Sequence, residues 1–422
     1  MTKPITLLSF LGGNRGKDSK RPVYEQANYR FPDGSEVCSD YFAEAIVRSG
    51  QFQLKQVLLL GTRTSVWERL VQEVDLDLAS AILERTDGDT PAGVTDEQLH
   101  QVEHLLAEQW RMEVHAYAGE LAINESNALD ELVAYDAMLA KIPDSHEVLF
   151  DFTHGFRSLA MLLTVALRFR GAIHQQHHLR TVRLIYGEFN RDAPSPVHVL
   201  DDLWKGLQVS QAAQLFLEKF AGEELAEMLE LDWPVGAKAI RKLSERVQSN
   251  LFLEFEEPLR QLHNALNNLP QPCPDWLAML AHALERFHHR LTAPTLSGIL
   301  LRLAELLMEH HLAGQAYTAL DEALTEIVLM AHGKESRNLT DDDRRQLFRE
   351  TVEQLPDRRL AHQLWRIHNT RNTVAHAGRK IHRDNPGNAV APGRFLHEFH
   401  GLAERLRPLA KNPRKLLEDR WR

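Results

Sequence analysis

The residues Val148-Leu149-Phe150-Asp151-Phe152-Thr153-His154-Gly155-Phe156 run without a spacer into Arg157-Ser158-Leu159-Ala160-Met161-Leu162-Leu163-Thr164-Val165-Ala166-Leu167. A short apolar, β-prone run stops at polar residues, one glycine turns the chain, and an apolar helix begins at once. A buried strand feeds a helix in this way in an open α/β sheet. Such a junction suits a ligand. Glycine permits close backbone approach, the first helical amides lack intrahelical partners, and the helix dipole favours an anion such as phosphate. Thr153 and His154 add side-chain hydrogen bonds at the same lip.

The same strand, polar loop, helix pattern recurs upstream. Ile5 to Leu11 reads as a first buried strand ending at Gly12-Gly13-Asn14-Arg15-Gly16-Lys17, a glycine-rich loop with two cations that offers amides and positive charge to phosphate. It lacks the full dinucleotide or Walker spacing. Pro32-Asp33-Gly34 signals a small hairpin between Tyr24 to Phe31 and Val37 to Tyr41, followed by a helix from Tyr41 to Ser49 ending near Gly50. A second strand, Gln56 to Leu60, runs into Gly61-Thr62-Arg63-Thr64-Ser65. Helical spacing then covers Thr64 to Glu84 and Thr95 to Trp110, Met112 to Tyr117 reads as a strand, and a helix follows from Asn127 to Lys141. After the junction at 148–167, Val182 to Tyr186 is a further strand. Alternation over about 200 residues predicts a mostly parallel, doubly wound sheet with its ligand outside the carboxyl ends of the strands.

Ala193-Pro194-Ser195-Pro196 breaks that pattern, and from Leu200 the chain reads as helix nearly to its end. With 422 residues, more than one core is expected; the boundaries read as 1–200 for the α/β domain, 201–285 for a helical connector and 286–422 for a second, all-helical functional domain. No apolar run approaches the roughly 18 to 20 residues that span a bilayer, so a cytoplasmic protein without a membrane partner is expected. Cys38 and Cys273 are the only cysteines, read as unpaired thiols.

Charge distinguishes the two ends. The net charge is −10, yet Arg358 to Arg422 holds 15 Lys+Arg against 5 Asp+Glu. A basic end on an acidic chain is the asymmetry expected where one end meets a polyanion, or where a basic face pairs with the acidic part of the same protein. Within it stands Leu364-Trp365-Arg366-Ile367-His368-Asn369-Thr370-Arg371-Asn372-Thr373-Val374-Ala375-His376-Ala377-Gly378. Arg371 and His376 have R-x4-H spacing with Asn372 directly after the arginine. The spacing alone carries little, since Arg170/His177, Arg191/His198 and Arg394/His400 are similarly separated. Position on a helix of the basic segment, with Gly378 placed to end that helix, is what singles it out.

These residue types fit RNA cleavage without a metal. Histidine titrates in the useful range, and arginine holds charge developing on phosphorus with a planar fork. His376 in a last helical turn would feel the negative end of the helix dipole, which suits a general acid or charge stabiliser better than a base. On a straight helix residues five apart project about 140° from one another, so one protomer makes a poor site and a twofold pair a better one. The paired histidines elsewhere lack carboxylate or cysteine partners at metal-ligand spacing, and no metal site is expected.

Asp151-Phe152-Thr153-His154-Gly155 matches the D-x-T-H-G signature of a group of CRISPR-associated accessory proteins. With Arg371-Asn372 and His376 at the other end, the chain resembles the CARF-HEPN effectors of type III CRISPR systems over nearly its full length, most specifically at 5–16, 58–65, 148–167 and 315–378. Gly314 to Leu324 is similar to the first helix of such HEPN domains. The resemblance implies a Rossmann-like CARF domain that dimerises and binds a cyclic oligoadenylate as allosteric activator, with no other cofactor, and C-terminal HEPN domains that cut single-stranded RNA at a dimer-interface site. By motif it assigns Thr153, His154 and Gly155 to the cyclic nucleotide, with Gly12, Gly13, Asn14 and Thr62 as a second lip, and Arg371, His376 and Asn372 to catalysis. The implied ring is cyclic tetra-adenylate, with cyclic hexa-adenylate as the alternative; His154 is the one candidate base should the CARF pocket cleave its activator. Two other classes compete: a cyclic-nucleotide sensor whose HEPN-like domain is inactive, and a nucleotide-cofactor enzyme, disfavoured by the missing dinucleotide fingerprint.

Overall fold

The computed structural model describes residues 3–12, 26–87, 91–119, 126–154, 157–173, 179, 182–375 and 394–418. The chain divides into two compact units, Met1–Gln208 and Val209–Arg422.

The first unit is built on an eight-stranded sheet: β1 (Ile5–Leu11), β2 (Ala27–Arg30), β3 (Glu36–Ser39), β4 (Leu54–Thr62), β5 (Glu113–Gly119), β6 (Glu147–Asp151), β7 (Val182–Gly187) and β8 (Ser195–Val199). Their order is β3-β2-β8-β7-β6-β1-β4-β5, and the five strands from β7 to β5 run parallel. Every residue of β1 is buried, as expected of a parallel strand covered on both faces. Helices α1 (Phe42–Ser49), α2 (Glu68–Val71), α3 (Leu76–Thr86) and α4 (Asp96–Trp110) share one core with Leu7, Leu11, Val57 and Leu59. On the opposite face α5 (Ala128–Leu139) and α6 (Arg157–Ile173) pack Tyr135, Met138, Leu159 and Leu163 against Leu8, Phe10, Leu58 and Leu60. The alternation along β1 and β4 thus splits their side chains between two layers.

The hairpin around Gly34 (φ +86°) and the helix ending at Gly50 (φ +65°) form where the turn residues signal them. Two sequence expectations are corrected. Thr64 to Glu84 is not one helix: Asp75 accepts the Leu78 amide as N-cap of α3, and that competing start breaks the run into α2 and α3. Pro194 and Pro196 do not end the sheet. Ser195–Val199 forms β8, antiparallel to β7, and joins the hairpin through β2 over only two register positions, one of them Pro196.

The second unit is helical: α7 (Asp201–Lys219), which begins before the boundary, then α8 (Glu223–Leu229), α9 (Pro234–Gln248), α10 (Glu256–Leu266), α11 (Asp275–Leu291), α12 (Leu296–Glu309), α13 (Ala313–Ala331), α14 (Asp341–Gln354), α15 (Arg358–Ala375) and α16 (Phe395–Lys411). One core runs from Val209 to Leu416. The helices read as a connector do not stand apart within it: Phe216, Phe220 and Phe255 meet Phe287 or one another, so 209–285 and 286–416 bury apolar surface together. No single helix among the described residues is long and apolar enough to cross a membrane. The bent pair α11 and α12 reaches the length and composition only jointly, and it contributes to this core. Cys38 and Cys273 are both free.

Candidate functional site

In the first unit, β1 lies between β4 and β6, so the chain leaves β1 toward one side of the sheet and returns to its other side after β5. This is a topological switch point, where loops diverge and leave a crevice outside the carboxyl ends of the strands. Gly12, Thr62, Thr153 and His154 all come to that edge. The ladders place Leu11 beside Gly61 and Ser9 beside Asp151. Gly13, Asn14 and Gly155 lie outside the described residues.

Asp151 organises the edge. Fully buried at the end of β6, it accepts from Ser9 Oγ at 2.6 Å and from the Thr153 amide at 2.8 Å. Burial pushes its pKa up to about 6, against those two hydrogen bonds. Thr153 Oγ1 accepts from the Gly187 amide of β7 at 2.9 Å. The His154 Nε2 accepts from the Phe42 amide at 3.1 Å, satisfying an N-terminal donor of α1, whose own N-cap residue Tyr41 makes no side-chain cap. Accepting there requires the neutral ring, and burial pushes the His154 pKa down to about 4. Tyr41 packs tilted against that ring, centroids 5.5 Å apart, and its hydroxyl lies 3.3 Å from both Ser9 Oγ and the Phe10 carbonyl.

Thr62 is also turned inward. It is 1% exposed, its Oγ1 is 3.0 Å from Ser65 Oγ, and Ser65 Oγ in turn donates to the Leu11 carbonyl at 2.8 Å, tying the two loops together. The side-chain atoms of Thr153, His154 and Thr62 that the motif put on a ligand therefore hold the lip together through these bonds. The motif gives Asp151 no ligand role of its own; an acidic residue closing an apolar strand is the signal in the sequence for this buried position. Gly61 matters for packing. A Cβ there would lie 2.7 Å from the Trp67 indole, which is buried and donates to the Thr62 carbonyl. Gly61→Ala is expected to destabilise the first unit by about 1–3 kcal/mol, an overpacking cost, read as a lowered denaturant midpoint.

Helices α5 and α6 expose an apolar stripe. Met161 (72%), Val165, Phe169 and Ile173 recur every four residues on α6, flanked by Leu129 and Val133 of α5.

In the second unit, Arg371 and Asn372 lie on α15, while His376 and Gly378 fall just beyond its last described residue, Ala375. Arg371 Nη1 donates to Asn372 Oδ1 at 3.0 Å, the pairing that the polar residue after the arginine suggests. Its Nε stands 3.9 Å from Asp321 Oδ2 without a hydrogen-bond partner. A cavity of about 100 Å³ opens between α13, α14 and α15, lined by Asp321, Glu322, Arg344, Arg345, Arg349, His368 and Arg371 among others. Arg344 is nearly buried and bridges Glu322 at 2.7 Å, Asp341 at 3.5 Å and Glu326 at 3.6 Å, which locks α14 to α13. Glu326 itself is shifted upward by burial, partly offset by Ser336 and Arg344. Arg345 and Arg349, four apart on α14, add two further cations to the wall.

Sequence reasoning missed Asp321, His368 and the arginines of α14. His368 stands three residues before Arg371, on the same helix face, and that spacing was the available signal. The partners on α13 and α14 had none, because they come from other helices. Among the described residues no group of three or more His, Cys, Asp or Glu is arranged to hold a metal ion.

No protein-family model matches the chain. By sequence it is similar to the CRISPR-associated protein MJ1674 of Methanocaldococcus jannaschii, 21% identical over 287 residues that make up 62% of this chain and 44% of that protein. The match thus spans less than half of the relative's length. By structure it is similar to Enterococcus italicus Csm6 bound to cyclic hexa-2′-fluoro-hexa-dAMP, with a TM-score of 0.41 and 10% identity, covering 99% of this chain and 96% of that one.

Proposed function

We propose that this relative of a CRISPR-associated protein is a CARF-HEPN effector of type III CRISPR defence, an endoribonuclease that cuts single-stranded RNA without a metal when a cyclic oligoadenylate binds. The observation that carries the reading is Arg371, which sits within the Arg-Asn-x-x-x-His string and lines a cavity of the helical unit whose wall carries four arginines and three carboxylates. The switch point in the α/β unit, with Asp151, Thr153 and His154 at its edge, supports an anionic nucleotide ligand there. In this reading residues 1–200 sense the activator, 201–285 pass the change on, and 286–422 cleave. The activator is cyclic tetra-adenylate, and the residues assigned to it are Gly12, Gly13, Asn14, Thr62, Thr153, His154 and Gly155. Because Thr153, His154 and Thr62 use side-chain atoms on the protein itself, their part is to set the lip, and backbone amides do the contacting.

The exposed stripe on α6 supports a homodimer, since an apolar face of that length is ordinarily covered. Two copies would then bring Arg371 and His376 from both chains to one RNA phosphate, with Asn372 orienting Arg371. The activator shifts the population toward the arrangement it binds more tightly.

The test is cleavage of fluorescent single-stranded RNA in EDTA, with cyclic tri-, tetra- and hexa-adenylate supplied separately. Cleavage with the tetra-adenylate alone is the expected result. Binding of a ring with no cleavage under any of the three would favour a sensor with an inactive helical domain.

A further inference from the structure

Asp321 and His368 form a dyad inside the cavity that holds Arg371. Asp321 is 6% exposed on α13, and its two carboxylate oxygens lie 3.1 and 3.2 Å from His368 Nδ1. That contact directs the Nδ1 proton to the carboxylate and leaves Nε2 as the acceptor nitrogen. Nε2 has no hydrogen-bond partner among the described residues, and His368 lines the cavity. Phe348 and Trp365 pack on the ring, with centroids at 5.3 and 5.8 Å, and restrict its rotation. His368 and Arg371, three apart on α15, project about 60° from each other and serve one site.

Resting on the ribonuclease reading above, we propose that His368 is a further catalytic residue, the general base that takes the proton of the RNA 2′-hydroxyl, with Asp321 as its positioning residue. The 2′-hydroxyl gives its proton to Nε2 and the 2′-oxygen bonds to phosphorus. The P–O5′ bond breaks, and the 5′-oxygen leaves with a proton from the general acid that the reaction already requires. The products are a 2′,3′-cyclic phosphate and a 5′-hydroxyl, and His368 returns its proton to solvent. Arg371 faces the same phosphate and balances its charge. A base oriented by a buried carboxylate, with a cation one helical turn along, is an arrangement that accelerates proton transfer by roughly 10²–10⁴-fold.

The experiment compares the full-length wild type with His368→Asn on two single-stranded RNAs, both with cyclic tetra-adenylate present. One RNA is natural. The other carries a sulfur in place of the 5′-bridging oxygen at a single site, and its thiolate leaves without a general acid. His368→Asn is expected to lose about 100-fold or more on both RNAs, while binding a cleavage-resistant 2′-deoxy RNA within a few-fold of wild type. Loss on the natural RNA alone would make His368 the acid and overturn the assignment. Cleavage close to wild type, or weakened binding that accounts for the whole loss, would overturn it as well. Should His368→Asn melt well below wild type, Asp321→Asn replaces it, with an equal loss on both RNAs supporting the dyad and no loss refuting it. A wild type that binds the ring and cleaves neither RNA refutes the ribonuclease reading itself, which the variant comparison keeps separate.

Discussion

Arg371→Ala is expected to lower RNA cleavage by on the order of 10²–10³-fold while leaving activator binding unchanged. The guanidinium is one of four arginine charges lining the cavity, with those of Arg344, Arg345 and Arg349. Among the described residues it makes one hydrogen bond, to its neighbour Asn372, and its Nε approaches Asp321 only to 3.9 Å. An arginine so lightly engaged by its own protein has capacity left for a phosphate, whose planar recognition lysine does not reproduce. Arg371→Lys should therefore recover little. The fold should tolerate the loss, because Arg344 and not Arg371 carries the bridging ion pairs between α13 and α14. Initial rates on fluorescent single-stranded RNA, beside the thermal midpoint and cyclic oligoadenylate titration of the same variant, decide it. Cleavage within a few-fold of wild type would remove Arg371 from the reaction.

The second large effect concerns pH and the edge of the first unit. Asp151 has a folded pKa of about 6, above its ordinary 3.8. Between those values the folded state binds more protons than the unfolded one, so its contribution is complete at low pH and is lost as pH rises through about 6. His154 behaves oppositely. Its folded pKa of about 4 lies below the ordinary 6.5, so its contribution is complete above 6.5 and is lost as pH falls through about 4. Each shift is worth about 3 kcal/mol, and the two windows nearly coincide, so in the wild type they largely cancel. Removing one partner exposes the other. Relative to wild type, Asp151→Asn should gain about 3 kcal/mol of stability as pH rises from 4 to 6.5, and His154→Gln should lose about as much over the same interval. Denaturant unfolding of the first unit at pH 4, 5 and 6.5 measures both. Parallel pH profiles for the wild type and both variants would contradict the assignment of these two groups.

Much of the architecture was legible in local patterns. Apolar runs such as Ile5 to Leu11 and Val148 to Asp151 became buried strands, Gly34 and Gly50 turned the chain where expected, and the region after Leu200 became helices. The failures were also local in origin. The Asp75 cap was overlooked in a helical period, and two prolines around Ser195 outweighed a short strand that only neighbouring strands stabilise. At the sites, spacing points to the motif residues, while their contacts come from elements distant in sequence. The side chains of Thr153, His154 and Thr62, which the motif assigns to a ligand, bond to Gly187, Phe42 and Ser65.

By itself, the sequence determined most of the strands and helices, which of their faces are apolar, and that Asp151, Thr153 and His154 stand where an apolar strand ends. Those properties depend on residues within a turn or two of one another, so periodicity, caps and turn residues express them directly. Tertiary structure alone decided that β1 lies between β4 and β6 and so creates the crevice, that Ser9 meets Asp151, and that Asp321 meets His368 beside Arg371. Ser9 and Asp151 are 142 positions apart, Asp321 and His368 are 47 apart, and an amphipathic face specifies that it will be buried without specifying which other face will cover it.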